Sequence, residues 1–528
     1  MLDLIKHLPS IGEKQMVTSK KSLRVLALAA TVIGSLVASI LPASAENAAP
    51  KGDLVMVRNQ DFATFDPDLA QNDSIFPQQQ VYEGLYRAST DGTKLEPWLA
   101  KSYSTSANGL TWTFKLRTDV KFSDGTPMTS ADVKFSLDRA TKGDGWGFLN
   151  TAIASVEAPA ADTVVITTKF KWAPLLADLA SFSNSVMKNN FGGVTAAEYF
   201  KAPIGTGPFM LDHWTPGTEL KLVANKNYWQ PGKPYLNSVT FKYVVDDNTR
   251  EFMLKGGQAD INEEPPAATI KSLQASPNIK VGIFPAAASN FLAFNHKVPA
   301  LSDVHVRRAI SYAIDRAAIS KVVFSGLASP SNSFLAPGVQ FYDKTTPGQQ
   351  FDLKKAAAEL KMSKYAKGLK LDLLIRGGNK THEATASIVQ AALKKIGVTM
   401  TITAQEPSVQ RATQKKMEYQ MTLTAWTMDI VDPDELLTFG LTPDGGTHAF
   451  YTNYNNAAVN AAVVKGQTNV DPKVRQAAYS FVQKQTAEDA FMAFTVNPPY
   501  LYAWTNKITG FTVNPLYTYR MEDVKKAN

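Results

Sequence analysis

The stretch from Leu369 to Thr403 constrains the fold of this chain more than any other segment. Leu369–Ile375 predicts a strand. Ala386, Val389, Leu393 and Ile396 then stripe one face of a helix that Gly397 ends, and Val398–Thr403 predicts a second strand. Strand, helix and strand at this length imply a parallel pair joined by a right-handed crossover. A further strand is predicted over Tyr419–Trp426. Upstream, Val306, Ala309, Ile310, Ala313, Ile314 and Ala317 fall at the spacing of one amphipathic helix. From about residue 286 onward the chain therefore reads as α/β.

Before that point it reads as β-rich with interspersed helices. Leu110-Thr111-Trp112-Thr113-Phe114-Lys115-Leu116 alternates apolar and polar residues, the period of a half-buried strand, and Val239-Thr240-Phe241-Lys242-Tyr243 alternates again. Ser123–Pro127 predicts a turn, and Thr129 with Asp132 makes a capping box for a helix through Arg139. The chain has 528 residues, 44% of them hydrophobic. At roughly 150 residues per domain that length suggests two to four structural units.

The first 45 residues differ from the rest. Lys20, Lys21 and Arg24 precede an apolar run from Val25 to Ile40, and Ala43-Ser44-Ala45 closes it with the small residues of a cleavage site. Residues 1–45 are thus expected to be a signal peptide, with Met16 as a possible start and Glu46 as the mature terminus. A retained membrane anchor is the alternative, and it fits the cleavage site poorly. Loss of this leader removes five basic and two acidic residues, so the formal charge falls from +8 to +5. That charge is too dilute to argue for a nucleic-acid partner. The chain has no cysteine, which excludes disulfides, thiolate metal sites, cysteine nucleophiles and a lipid-modified cysteine. The expected location is the periplasm, without a lipid anchor.

Catalytic patterns are missing as well. His7, His213, His296, His305, His382 and His448 form no H-x-x-x-H or H-E-x-x-H pair, and no G-x-S-x-G elbow occurs. Asp432 and Asp434 flank Pro433 and read as a turn and a helix cap. Gly205-Thr206-Gly207 lacks a following Lys-Ser/Thr pair and reads as a structural turn rather than a phosphate loop. The expectation is a binding protein with no enzyme activity, no cofactor and no metal site.

Several segments, in order, resemble one family. They are Trp98-Leu99-Ala100 through Leu110–Arg117 and Val120–Pro127; Pro203–Phe209 with Asn225–Trp229; Phe294-Asn295 leading to Val306–Ile310 and Ala313–Arg316; and Trp426-Thr427-Met428-Asp429 with Asp432-Pro433. Together they resemble the peptide/nickel class of extracellular solute-binding proteins, family 5, which serve ABC importers. The resemblance implies a two-lobed periplasmic binding protein fold with an enlarged first lobe. Two crossing hinge segments would join the lobes, with the ligand in the cleft between them. It places lobe I at 46–285 plus 497–528 and lobe II at 286–496. The expected partners are a small-molecule ligand and the permease and ATPase of the importer, and the protein itself is expected to be a monomer.

A short peptide is a zwitterion, and enclosing it strips water from both ends unless each meets an opposite charge. Asp429 and Arg376 each lie just past a predicted strand, where ligands sit in open α/β sheets. Arginine suits a carboxylate because its planar fork binds bidentately. The resemblance to dipeptide-binding members implies that Asp429 holds the ligand's ammonium group and Arg376 its carboxylate. This chain departs from the family pattern in Thr427 after Trp426, and in Gly377-Gly378 after Arg376. Trp426 is a candidate cleft wall or plain core. Asn72-Asp73-Ser74 would offer main-chain hydrogen bonds to an extended peptide, or form an ordinary polar loop. Di- and tripeptides lead as cargo. The alternatives are an oligosaccharide, an opine or a metal chelate, and His382 is read as surface rather than as a ligand for metal.

Overall fold

In the computed structural model the described residues are 51–71, 73–443 and 452–527. The expected leader, Asn72 and His448 lie outside them. Two main sheets carry the two lobes. The first has seven strands in the order Ile279–Phe284, Tyr500–Thr505, Ile261–Glu263, Asp53–Arg58, Ser238–Tyr243, Glu219–Ala224, Phe209–Thr215. The second has five, in the order Val398–Gln405, Leu369–Arg376, Met421–Thr427, Ala288–Phe294, Met492–Phe494. The chain leaves the first sheet after Phe284, enters the second at Ala288, and returns between Phe494 and Tyr500. Past Thr505 it packs Ile508, Phe511, Tyr517, Tyr519 and Met521 into the same core as Leu54 and Met56 of the first sheet.

The strand–helix–strand unit forms as its periodicity requires. Leu369–Arg376 and Val398–Gln405 pair in parallel from Leu369↔Val398 to Arg376↔Gln405. The connecting helix Lys380–Lys394 buries Ala386, Val389 and Leu393. Gly397 takes φ +85°, the left-handed conformation that a helix exit into a strand favours. Leu369–Arg376 also pairs in parallel with Met421–Thr427, through Leu373↔Met421 and Leu374↔Thr422. A separate four-stranded antiparallel sheet holds Thr111–Leu116. There Trp112, Phe114 and Leu116 are buried while Lys115 is exposed, as the alternation requires. The Thr129/Asp132 capping box is present at the start of helix Ser130–Ala140. Ser238–Tyr243 differs: Val239, Thr240 and Phe241 are all buried, because this strand lies inside the seven-stranded sheet and both its faces are covered.

One expected helix is two. Val304–Ala313 stops, Ile314 is extended, and Arg316–Val323 starts anew with the Asp315 carboxylate accepting from the Ala318 N–H. Ala317 consequently points to solvent. The break is held by the buried Arg316 guanidinium, which donates to the carbonyls of Ser311 (3.1 Å), Ile314 (3.2 Å), Ser331 (3.0 Å) and Gln349 (2.9 Å). A side chain that satisfies the carbonyls at a helix end replaces the next turn of helix. Gly205-Thr206-Gly207 is likewise structural. A Cβ on Gly205 would sit 1.9 Å from the Val81 carbonyl oxygen. Thr206 Oγ1 donates to the buried Glu83 carboxyl at 2.8 Å.

Arg316→Met removes those four hydrogen bonds and leaves buried carbonyls unsatisfied. The expected loss is about 2–4 kcal/mol of stability, read as a lower urea midpoint at unchanged slope. An unchanged midpoint would show that the carbonyls find water instead.

Candidate functional site

The strand Met421–Thr427 lies between a parallel neighbour and the antiparallel strand Ala288–Phe294, with Thr427 opposite Ala288 and Trp426 opposite Ser289. Met428 extends the ladder by donating its N–H to the Ala287 carbonyl at 2.9 Å, which ties the strand end to the first crossing segment. The chain then turns into helix Asp434–Leu441. Asp432 anchors the turn. Its Oδ1 accepts from the Asp434 N–H, and its carboxylate receives both arms of Arg475 at 2.7 and 2.8 Å. Asp432 and Asp434 thus serve the turn and helix start.

Asp429, half-buried, opens onto a cavity of about 780 Å³, counting the space at its mouth. The opposite wall comes from the first lobe and the C-terminal stretch, including Glu83, Arg87, Arg520 and Glu522. The Asp429 N–H donates to Glu435 Oε2 at 2.8 Å, and the Ile430 N–H reaches the same oxygen at 3.3 Å. Among the described residues no lysine, arginine or histidine pairs with either carboxyl. Burial pushes Asp429 up to about 7. Glu435 is raised well above the usual carboxyl range, first by burial and then by the Asp429 charge.

Arg376 ends the parallel neighbour of the Asp429 strand. Continuing the register Leu373↔Met421, Leu374↔Thr422 places it level with Thr424, so both strands run out toward the same edge of the sheet, with Asp429 a few residues further along. Its guanidinium is exposed and has no acidic partner among the described residues, and it is not part of the wall of the Asp429 cavity. His382 sits against the Arg376 backbone, its Nδ1 3.5 Å from the Arg376 N–H. Burial first, and the Arg376 charge second, push His382 down to about 4. A neutral imidazole in that place agrees with a residue that serves the loop.

Trp426 is half-buried against Phe439, ring centroids 4.9 Å apart. Phe439 in turn stacks on Phe148 at 4.3 Å, so the aromatic contacts run from one lobe to the other. Thr427 lies next to the buried Tyr500 hydroxyl. Asp73 and Ser74 are taken up by the fold. Ser74 Oγ accepts from the Ala63 and Thr64 N–H groups (3.1 and 3.2 Å) and donates to Asp73 Oδ1 (2.7 Å). The Asp73 carbonyl accepts from Arg58 at 2.6 Å. The structure therefore puts Asp429 in the cavity wall, leaves Trp426 and Thr427 on the strand end just before it and outside that wall, sets Arg376 on the adjoining strand end, and takes Asp73 and Ser74 into a hydrogen-bonded turn beside Arg58.

Sequence reasoning missed Glu435 and the far wall. Arg87 lies over the Trp98 ring at 3.1 Å and pairs with Glu522 at 3.2 Å, while Arg520 pairs with Glu96 at 3.3 Å. No local pattern links residues more than 400 positions apart. Glu435 did carry a signal, a second acid in the first turn of a helix just past Asp429, but it reads there as an ordinary helix-start acid.

Residues 94–448 match the family described as bacterial extracellular solute-binding proteins, family 5 Middle. The chain is 28% identical over 501 residues to the glutathione-binding protein GsiB of Escherichia coli (strain K12), covering 92% of this chain and 96% of that protein. It resembles the periplasmic binding protein DppA from Helicobacter pylori in complex with peptide STSA, with TM-score 0.79 and 26% identity over 90% of this chain and 98% of that one. It also resembles AgaA from Agrobacterium tumefaciens R10 in complex with agropinic acid, with TM-score 0.81 and 28% identity over 90% and 99% of the two chains.

The depressed His382 value has a sign that is open to measurement. Between the unfolded value of about 6.5 and the folded value of about 4, the unfolded chain takes a proton that the folded protein refuses. Its contribution to stability is therefore present above pH 6.5 and is lost as pH falls toward 4. Arg376→Ala is expected to raise the His382 imidazole pKa, followed by NMR titration. An unchanged value would leave burial as the sole cause.

Proposed function

Because the chain belongs to the bacterial extracellular solute-binding proteins of family 5, we propose that its cargo is a short peptide, a di- or tripeptide with both ends free. Proteins of this family are periplasmic, bind a small molecule and deliver it to an ABC permease; they are not enzymes. The observation that carries the peptide reading is the Asp429 carboxyl, which opens onto the inter-lobe cavity with no cationic partner among the described residues. A half-buried carboxylate left in that state is costly, and an ammonium group offsets the cost.

Arg376 supports the second half of the reading. It is an unpaired guanidinium at the end of the adjoining parallel strand, and the ligand's carboxylate would meet it on lobe closure. Trp426 and Thr427 would flank the ligand near its amine. Export by removal of residues 1–45, action as a monomer, and lobe borders near residues 285 and 497 complete the proposal. Glutathione, bound by the GsiB relatives, is itself a tripeptide with a free amine and suits the same pair of charges. An opine is the second reading, favoured by the likeness to AgaA with its agropinic acid.

Ala-Ala and Ala-Ala-Ala are expected to raise the melting temperature of the protein, and acetylating the amine or amidating the carboxylate to abolish the rise. Asp429→Ala is expected to fold normally and to weaken peptide binding by about 2–4 kcal/mol in calorimetry. Equal binding of free and blocked peptides would sink the two-charge reading, and a shift with agropinic acid alone would favour the opine.

A further inference from the structure

The Asp429 anchor is not a lone carboxylate. Glu435 is 2% exposed, and its Oε2 accepts from two successive loop amides, Asp429 N–H and Ile430 N–H. Its other oxygen, Oε1, is buried and receives no donor. The Asp429 side chain lies within hydrogen-bonding reach of the Glu435 carboxyl. With one carboxyl buried, the other half-buried and no cation beside them among the described residues, double ionisation is disfavoured and one proton stays between them.

The geometry points to Glu435 as a positioning residue of the binding site, a protonated carboxylic acid that holds the Asp429 loop through Oε2 and donates its proton to the Asp429 carboxylate through Oε1. This rests on the reading of Asp429 as the ammonium anchor and extends it to the charge of the site. The pair carries a single negative charge, so one ligand ammonium leaves the closed site neutral. A site of that charge selects a monocationic head group.

The surroundings favour the same arrangement. Burial raises both carboxyls, and Glu435, at 2% exposure, is shut off from water more completely than the half-buried Asp429, so the retained proton is placed on Glu435. Tyr500, facing Asp429 from the strand Tyr500–Thr505, is raised by burial and stays neutral. Arg475, the nearest guanidinium on this side, is bound to Asp432. Across the cavity, Arg87 is paired with Glu96 and Glu522, and Arg520 with Glu96. Glu83 takes hydrogen bonds from Trp98, Trp229, Thr206 and Tyr228. The cavity tyrosines Tyr82, Tyr86 and Tyr519 are all raised, first by burial, and stay neutral. None of these supplies a cation to the pair. Below about pH 7 Asp429 is protonated too, and an incoming ammonium must expel that proton to solvent, so affinity falls with falling pH.

Glu435→Gln keeps both contacts, its amide oxygen accepting and its NH2 donating, whereas Glu435→Leu keeps neither. In ligand-free protein at pH 8, infrared difference spectra are expected to show a protonated carboxyl band that Glu435→Gln removes. With Ala-Ala as probe, Glu435→Gln is expected to bind within about threefold of the parent with the same pH midpoint, and Glu435→Leu at least roughly tenfold more weakly. If Glu435 is ionised and Asp429 holds the proton, Glu435→Gln instead lowers the pH midpoint of binding by removing a neighbouring negative charge, and that shift overturns the inference, as does the absence of a protonated carboxyl band in the parent. Normal binding by Asp429→Ala would instead overturn the anchor reading itself, whatever the infrared band does.

Discussion

Two parallel strands that end on the same edge of one sheet set the terms for everything around them. Leu369–Arg376 and Met421–Thr427 pair through Leu373↔Met421 and Leu374↔Thr422, so both chains run out of ladder toward the cleft. A strand that ends there has no further backbone partner of its own, and the loop beyond it must be held by side chains. Glu435 holds the Asp429 loop by its two amides, and Asp432 with Arg475 holds the turn that follows. The charged groups proposed for the ligand, Asp429 and Arg376, are those that this scaffolding leaves without an ion-pair partner among the described residues.

The same loop also closes the gap between lobes. Ile430 packs among Leu149 and Ala177, and Phe439 stacks on Phe148. The Ala173 N–H donates to the Gln467 carbonyl at 2.8 Å. Asp178 takes the Trp172 indole N–H and lies near Asp432 and Asp434. Burial, with those neighbouring carboxylates, raises Asp178 well above the usual range, and burial raises Asp434 to about 7. Acids brought face to face at a closing surface are tolerable only when they share protons or reach Arg475. The lobes therefore meet through a polar seam as well as an apolar one. Interfaces of that kind open and close more readily than a continuous core.

Much of the scaffold was legible because its signals are local. The crossover unit, the Thr111–Leu116 strand and the Thr129 capping box each depend on residues a few positions apart, where hydrophobic period and cap chemistry act directly. The failures have local causes too. The helix predicted as one piece from Val306 to Ala317 breaks at Ile314, because Arg316 reaches back to carbonyls of the first piece and across to Ser331 and Gln349. The Ser238–Tyr243 strand alternates in sequence, yet its central position in the sheet buries both faces. Asp73 and Ser74 satisfy one another and the neighbouring main chain, which a polar loop read in isolation does not reveal.

The sequence by itself determined the family, the α/β character past residue 286, and the positions of Asp429 and Arg376 beyond strand ends. Those follow from periodicity and from motifs that each occupy one short segment. Only the tertiary structure decided what stands beside each charge. It put Glu435 against Asp429, exposed Arg376 with no acid beside it among the described residues, and set Arg87 and Arg520 on the opposite wall from segments at either end of the described chain. The reason is that a charge's state depends on distance and burial, and both are properties of contacts between residues remote in sequence.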